Sequence, residues 1–432
     1  MNTIWKRFGP KNANVARCWG GALLLLVAGW AGTGCNVQLS LGSGLTHLTG
    51  FATRNAAGEL AAATTQLEVE NQFGELQVVV ADAGSPNWTW KLETRAKTDA
   101  LARSAADEVR FTAETNGTSV RLVVTLPKER RNRHFDSQLI VHAPKTCAVT
   151  ARNAFGTLRV AGVDGPVEAK DEFGALTVEN IKGEVRAQTA FAALRVREVG
   201  PARLKNQNGK LEATGVQGNV DAETSFAALT VTGVSGRAEV RNQNGAITLK
   251  DIRGAVQART SFDRLLATDL GGPLQAANQN GSISATRVAG AVELKTSFAA
   301  IELVHTDGGA VLRNQNGHIH AREVAGELRA ETSFDKIDVA GTGTRFYCRN
   351  HNAAIVIEAT GPTLAEVDAR TSFGNLEVRL PADAQPTLTA HTSFGQVQAD
   401  FPIQPKDTPP VPGHPRVRLE NQNGSIRVHA LK

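Results

Sequence analysis

From residue 150 onward the chain alternates apolar and polar residues in short bursts broken by Gly. In residues 224–241, Leu229 and Val231 alternate with polar neighbours, Val234 follows, Gly236 interrupts, and Ala238 and Val240 alternate again. The next unit repeats this with Ile247, Leu249, Ile252, Gly254, Val256 and Ala258. Alternation over four or five residues bounded by Gly is a strand signal, and no segment here keeps helical spacing for three turns.

The bursts recur with a fixed period. Thr-Ser-Phe and Asn-Gln-Asn triplets, or variants of them, begin at Asn153, Asp171, Thr189, Asn206, Thr224, Asn242, Thr260, Asn278, Thr296, Asn314, Thr332 and Asn350. Each step is 18 residues, apart from one of 17 between Thr189 and Asn206. Thr371, Thr392 and Asn421 follow at irregular steps of 21, 21 and 29. A short fixed period of this kind marks a solenoid in which each repeat stacks on the last. The predicted fold is all-β: a single-stranded parallel β-helix of 18-residue coils. Each coil has two or three short strands, with positions 6, 8, 11, 15 and 17 facing inward. A left-handed hexapeptide helix needs an aliphatic residue every six positions, which this spacing lacks, so the right-handed form is favoured.

Two kinds of coil alternate, making the longer repeat 36 residues. Phe226, Phe262, Phe298 and Phe334 hold position 3 in one kind, and Asn208, Asn244, Asn280, Asn316 and Asn352 hold it in the other. Asn followed by Gly suits a corner, because both tolerate positive φ. Phe rings two coils apart lie about 9.6 Å from each other. The reading adopted is that each packs over the neighbouring Asn corner; the functional alternative is an exposed Phe ribbon that grips an apolar partner.

The remaining segments divide as follows. Residues 1–34 read as a secretion signal: Lys6, Arg7, Lys11 and Arg17 precede an apolar stretch around Leu23–Leu26, then small residues and Cys35. The apolar run is shorter than a membrane-spanning helix needs. Small residues just before a cysteine resemble the lipoprotein signal, which implies lipidation of Cys35, although Gly32 stands where that signal usually carries an aliphatic residue. Residues 35–66 read as the lipidated cysteine and a tether, and 67–80 as a first coil. Residues 81–150 read as a β-rich cap with one helix at 99–110 and strands near 119–126 and 138–143. Repeats fill 151–400, a Pro-rich loop covers 401–415, and 416–432 adds a last coil.

Cys35, the Asn-Gln-Phe-Gly-Glu-Leu segment at 71–76 and the alternating coils together resemble the putative-adhesin family of bacterial β-strand-repeat proteins. That resemblance implies the fold and brings no catalytic residues with it.

Composition narrows the function. Setting aside the four N-terminal cations reduces the nominal +5 charge to 43 Lys and Arg against 42 Asp and Glu. A broad nucleic-acid-binding face needs clustered excess cations, so nucleic acid is not an expected partner. There is no phosphate-binding Gly loop, nucleophile elbow, paired-cysteine motif or calcium repeat. His318 and His320 share one strand face but make only two ligands, and no metal or cofactor is expected. Cys147 and Cys348 lie near opposite ends of a rod spanning roughly 53 Å, too far apart for a disulfide.

The functional reading is a non-catalytic, lipid-anchored envelope protein, placed at the outer membrane, whose surface acts as an adhesin or scaffold. Its partners would be the membrane, through the lipid, and an envelope protein or polysaccharide. One alternative is a glycan- or peptide-binding module with Trp88 and Trp90 of the cap as ligand contacts. The others are a polysaccharide-active β-helix enzyme, and homopolymerisation through stacked coils. The basic turn 128–133 reads as a solvated loop, with contact to anionic envelope lipid or polysaccharide as its sharper alternative.

Overall fold

The computed structural model describes residues 48–81 and 84–431. The signal segment and Cys35 lie outside the described residues. From Ala148 to Pro381 each coil contributes two strands. Leu229–Val234 and Ala238–Asn242 form one coil, and Ile247–Ile252 with Val256–Thr260 form the next. The coils pair in parallel with like positions opposed: Leu229 against Ile247, Val231 against Leu249, Val234 against Ile252, Ala238 against Val256. Two sheets therefore run the length of the rod and enclose one apolar core. Leu229, Val231, Val234, Ala238 and Val240 are all buried, as positions 6, 8, 11, 15 and 17 require.

Positions 8 and 11 are three apart, and strict alternation would send one of them outward. The chain solves this with a left-handed residue at position 10. Glu198, Gly215, Gly233, Asp251, Asp269, Arg287, His305 and Glu323 form a column with φ between 49° and 69°. The ladder skips this residue, pairing Thr232 with Lys250 and then Val234 with Ile252. The bend turns position 11 back into the core and begins the corner between the sheets.

Position 1 is polar yet buried. Asn242 donates from Nδ2 to the carbonyl of Ala227 in the preceding coil at 2.9 Å, and its Oδ1 accepts the Gly245 N–H at 3.1 Å. In the following coil Thr260 Oγ1 donates to the Gly245 carbonyl at 3.1 Å. Each corner is thus tied to the one before it by a hydrogen bond from a buried side chain, and an unmade bond here would leave a buried polar group unsatisfied.

The two ends of the rod depart from sequential stacking. Strand β1 (Gly50–Glu59), which falls in the segment read as tether, runs antiparallel to β4 (Asn87–Ala96). Strands β2 (Gln66–Asn71) and β3 (Gly74–Val80) make a coil whose far side pairs with the coil beginning at Ala148. Helix α1 (Asp99–Glu108) and β5 (Arg110–Asn116) follow. Then β6 (Ser119–Thr125) pairs in parallel with β2, and β7 (His134–Ala143) with β3. The segment read as a cap therefore supplies a further coil, threaded after β2 and β3 but lying outside them. Antiparallel partners finish it: β4 beside β7, and β5 beside β6. Helix α1 packs on β1 and β4. Thr98 caps its start, and the Arg54 guanidinium donates to the carbonyls of Ala106 and Val109 at its end.

The other end uses the same device. The final segment, Arg416–Asn421 and Ile426–Leu431, is not the last coil. It lies between the coil at Glu366–Pro381 and the strands Thr387–Thr392 and Val397–Ala399, which take the outermost place. The Pro-rich stretch is the excursion that lets the chain return inward, since Pro cannot serve a central ladder.

Two glycine substitutions separate the constraints on a coil. A Cβ on Gly233 meets only an ordinary contact, 3.5 Å from the Gly215 amide nitrogen, so Gly233→Ala should cost only the left-handed conformation, about 1–2 kcal/mol. A Cβ on Gly245 would sit 2.3 Å from the Ala227 carbonyl oxygen, which is backbone and cannot swing away. Gly245→Ala should therefore lower the melting temperature more than Gly233→Ala; the reverse order would be inconsistent with coils in this register.

Candidate interaction surface along one corner

Position 3 follows the buried position 1 by two residues around a tight turn. The position-4 residue lies against the preceding coil's backbone, so no pocket exists for a large side chain at position 3. The two coil types respond differently. Asn244, Asn280 and Asn316 lie back along the rod, each donating from Nδ2 to a Ser carbonyl of the preceding coil at 3.0–3.1 Å. Phe has no polar atom to make that bond, and it stands outward.

The rings are exposed. Phe226, Phe262, Phe298, Phe334 and Phe373 are 60–63% accessible, and Phe394 is 82% accessible. The expectation that they pack over the Asn corners does not hold: the Asn amides are occupied with backbone, and the Gly beside them offers no side chain to pack on. Nearer the N-terminal end, Phe occurs in consecutive coils. There the rings stack face to face: Phe155 on Phe173 at 4.5 Å and 3°, Phe173 on Phe191 at 5.2 Å and 7°. Phe73 extends the series to Phe155 at 6.0 Å and meets His134 edge-on. Alternation of Phe and Asn also continues through the reordered end. The coil carrying Asn423 lies between those of Phe373 and Phe394, so every second level again bears a ring.

The sequence-predicted site residues fare differently. Trp88 and Trp90 are only 9% and 2% accessible. Trp90 stacks on Phe111 at 5.0 Å and donates from Nε1 to Ser137 Oγ at 3.0 Å; Trp88 meets the same Phe at 4.7 Å. Gly58 on β1 leaves space for the Trp88 indole. Both rings are core of the end coil, with their polar edge or face already engaged. Cys35 lies outside the described residues. His318 and His320 sit with ring centroids 5.9 Å apart, and burial, then the nearby Arg322 charge, holds His320 below the usual imidazole range. Among the described residues no group of three or more His, Cys, Asp or Glu side chains converges. Cys147 and Cys348 are free and buried, with burial pushing their thiols up to about 11 and about 12. In the basic turn, Arg133 pairs with Glu108 at 2.8 Å.

One titratable group stands out. Asp171 occupies the buried position 1 of its coil, where other coils place Asn or Thr. Its Oδ1 accepts the N–H groups of Phe173 and Gly174, and Oδ2 accepts from Asn153 Nδ2 at 3.3 Å. Desolvation outweighs these bonds and raises the carboxyl to about 6. Where Asn206 directs an amide N–H to the carbonyl of Ala192, Asp171 offers only an oxygen when ionised.

A shallow groove of about 510 Å³ runs along the sheet that contains Ala238–Asn242 and Val256–Thr260, lined by Ala255, Pro273, Ala291 and Gly309 with Gln257 and Gln275. No protein-family model and no curated protein matches the chain. Among solved structures it is similar to a putative cell adhesion protein from Clostridium sporogenes, at 8% identity and TM-score 0.17, covering 88% of this chain and 100% of that one. It is also similar to putative adhesins from Bacteroides fragilis (11%, TM-score 0.19) and Parabacteroides distasonis (11%, TM-score 0.20), covering 88% of this chain and 97% and 98% of theirs. Likenesses of this size carry no inference about function, and the fold stands on the strand ladders themselves.

Asp171 gives a signed pH prediction. An unfolded Asp titrates near 3.9, so between about pH 4 and 6 the unfolded chain sheds a proton that the folded chain keeps. Stability should fall as pH rises through that window, by up to about 3 kcal/mol, with the full penalty present above pH 6. Asp171→Asn should remove this slope and raise the melting temperature at pH 7.5 but not at pH 3.5. An unchanged slope in denaturant titrations across that range would refute the assignment.

Proposed function

We propose that this chain is a non-catalytic, adhesin-like scaffold of the cell envelope, held to a membrane through a lipid on Cys35. The observation that carries the reading is the exposed Phe column on a rod whose coils are locked in register. A surface of identical stations repeated at fixed spacing suits distributed contact with an extended partner, such as an envelope protein or polysaccharide. A catalytic centre concentrates its groups at one place; here outward positions on the first sheet change from coil to coil, as Thr230, Thr248, Leu266, Ser284, Glu302 and His320.

Distributed contact has a distinctive signature. Deleting a whole 36-residue repeat, such as 206–241, 242–277, 278–313 or 314–349, should preserve the fold, because each coil presents the same stacking face to its neighbours. On beads carrying the full chain, each deletion should weaken capture of native envelope fragments to a similar, partial extent of about two- to fivefold. Complete loss from one deletion and none from the others would mean a localised site, and turnover of a polysaccharide by the purified chain would overturn the non-catalytic reading.

The anchor is tested separately. Cys35→Ser should release the chain from the membrane fraction into the soluble fraction; unchanged membrane retention would remove the lipid from the account.

A further inference from the structure

The Phe column carries a more specific reading, which deepens the proposed surface role by naming its partner. Within the chain, consecutive-coil rings stack nearly parallel at 4.5 and 5.2 Å. Beyond Phe191 every second seat of that stack is vacant, because an Asn lies back from it. Ring exposure records the loss: Phe155 and Phe173, inside the stack, are 39% and 45% accessible, Phe191 at its edge 54%, and the isolated rings 60% or more. Two isolated rings lie about 9.6 Å apart along the rod. One further ring, inserted at the Asn level, would restore the one-coil spacing seen at Phe155, Phe173 and Phe191.

We infer that a second copy of this chain fills those seats, its Phe column interdigitating with the first to form an antiparallel dimer. A partner that fills them in succession must carry apolar rings at the same period, and a second copy meets that demand without adjustment. A two-fold axis perpendicular to the rod, midway between a Phe coil and an Asn coil, maps each ring onto an Asn level of the partner. The contact is self-complementary and closes at two copies.

Charge permits the approach. Positions 1–3 of the coils that start at 224, 242, 260, 278, 296, 314, 332, 350, 371, 392 and 421 contain no Asp, Glu, Lys or Arg, and the charges next to this strip at position 4 are the exposed Asp263 and Asp335. Area is also adequate. Each of the six rings from Phe226 to Phe394 leaves about 60% or more of its surface open, on the order of 700–800 Å² in all, taking roughly 200 Å² per ring. A standard interface takes about 800 Å² per partner.

The test is sedimentation equilibrium of the full-length chain in a density-matched detergent. The wild-type chain should sediment as a dimer at micromolar concentration. Replacing Phe262, Phe298 and Phe334 with Asn, the residue the repeat itself uses at this position, should raise the dissociation constant at least 100-fold while leaving the melting temperature within a few degrees. A second variant works in the opposite chemical direction: Asn280→Phe with Asn316→Phe makes the column more apolar but occupies the seats from within. Interdigitation predicts that it too weakens the dimer, by at least tenfold. The inference fails if the wild-type chain is monomeric at 100-fold higher concentration, if the triple variant stays dimeric, or if the Asn→Phe variant associates more tightly, as an unspecific apolar ribbon would. A monomer that still shows graded losses on repeat deletion would discard the dimer and leave the distributed surface standing.

Discussion

Everything in this molecule follows from like positions being stacked one coil apart. At that spacing a backbone carbonyl at a corner faces the next coil's side chain, and the fold must decide what each such carbonyl meets. Position 1 answers with Asn or Thr, whose donors close the corner bonds inside the core. Position 4 answers with Gly209, Gly245, Gly281 and Gly317, where the preceding coil's carbonyl occupies the space a side chain would need. Positions 6, 8, 11, 15 and 17 answer with aliphatics that bury one another. The rest of each coil is free to vary, and it does.

Stacking also explains the ends. A bare coil edge invites pairing with other chains. One end is finished by antiparallel strands and a helix whose carbonyls are met by Arg54. At the other, one of the two outermost ladders shrinks to three residues at Val397–Ala399, and Ile403 of the Pro-rich stretch bridges to Leu388, which lies in the other. In both places the outer coil comes from inside the sequence, and the coil nearer the chain terminus is held between neighbours. This reordering preserves the rhythm of Phe and Asn in space where the sequence loses it, as Phe373, Asn423 and Phe394 show. The alternation is therefore a property of the surface.

The period, the inward positions and the parallel ladders were legible because each rests on local alternation repeated many times. The helix at Asp99–Glu108 was legible for the same local reason. What escaped was non-local. Nothing in residues 50–59 says that they will pair with a strand some forty residues later, and nothing at 416 says that this coil will slip beneath one already threaded. The burial of Trp88 and Trp90 depends on Phe111, Ser137 and Gly58, which only the fold brings together. The exposed Phe column did leave a trace. A core position has no reason to alternate between Phe and Asn in successive coils, whereas an outward one does.

From Phe191 onward the rod displays ring-bearing stations at a constant two-coil interval along one corner. Distances between spin labels on Asn208→Cys, Asn280→Cys and Asn352→Cys, measured pairwise in the intact chain, test it most directly. These sites are four and eight coils apart, so the account predicts about 19 Å for each adjacent pair and about 38 Å for the outer pair, adding linearly. Distances that fail to add, or that do not grow with the number of intervening coils, would contradict it.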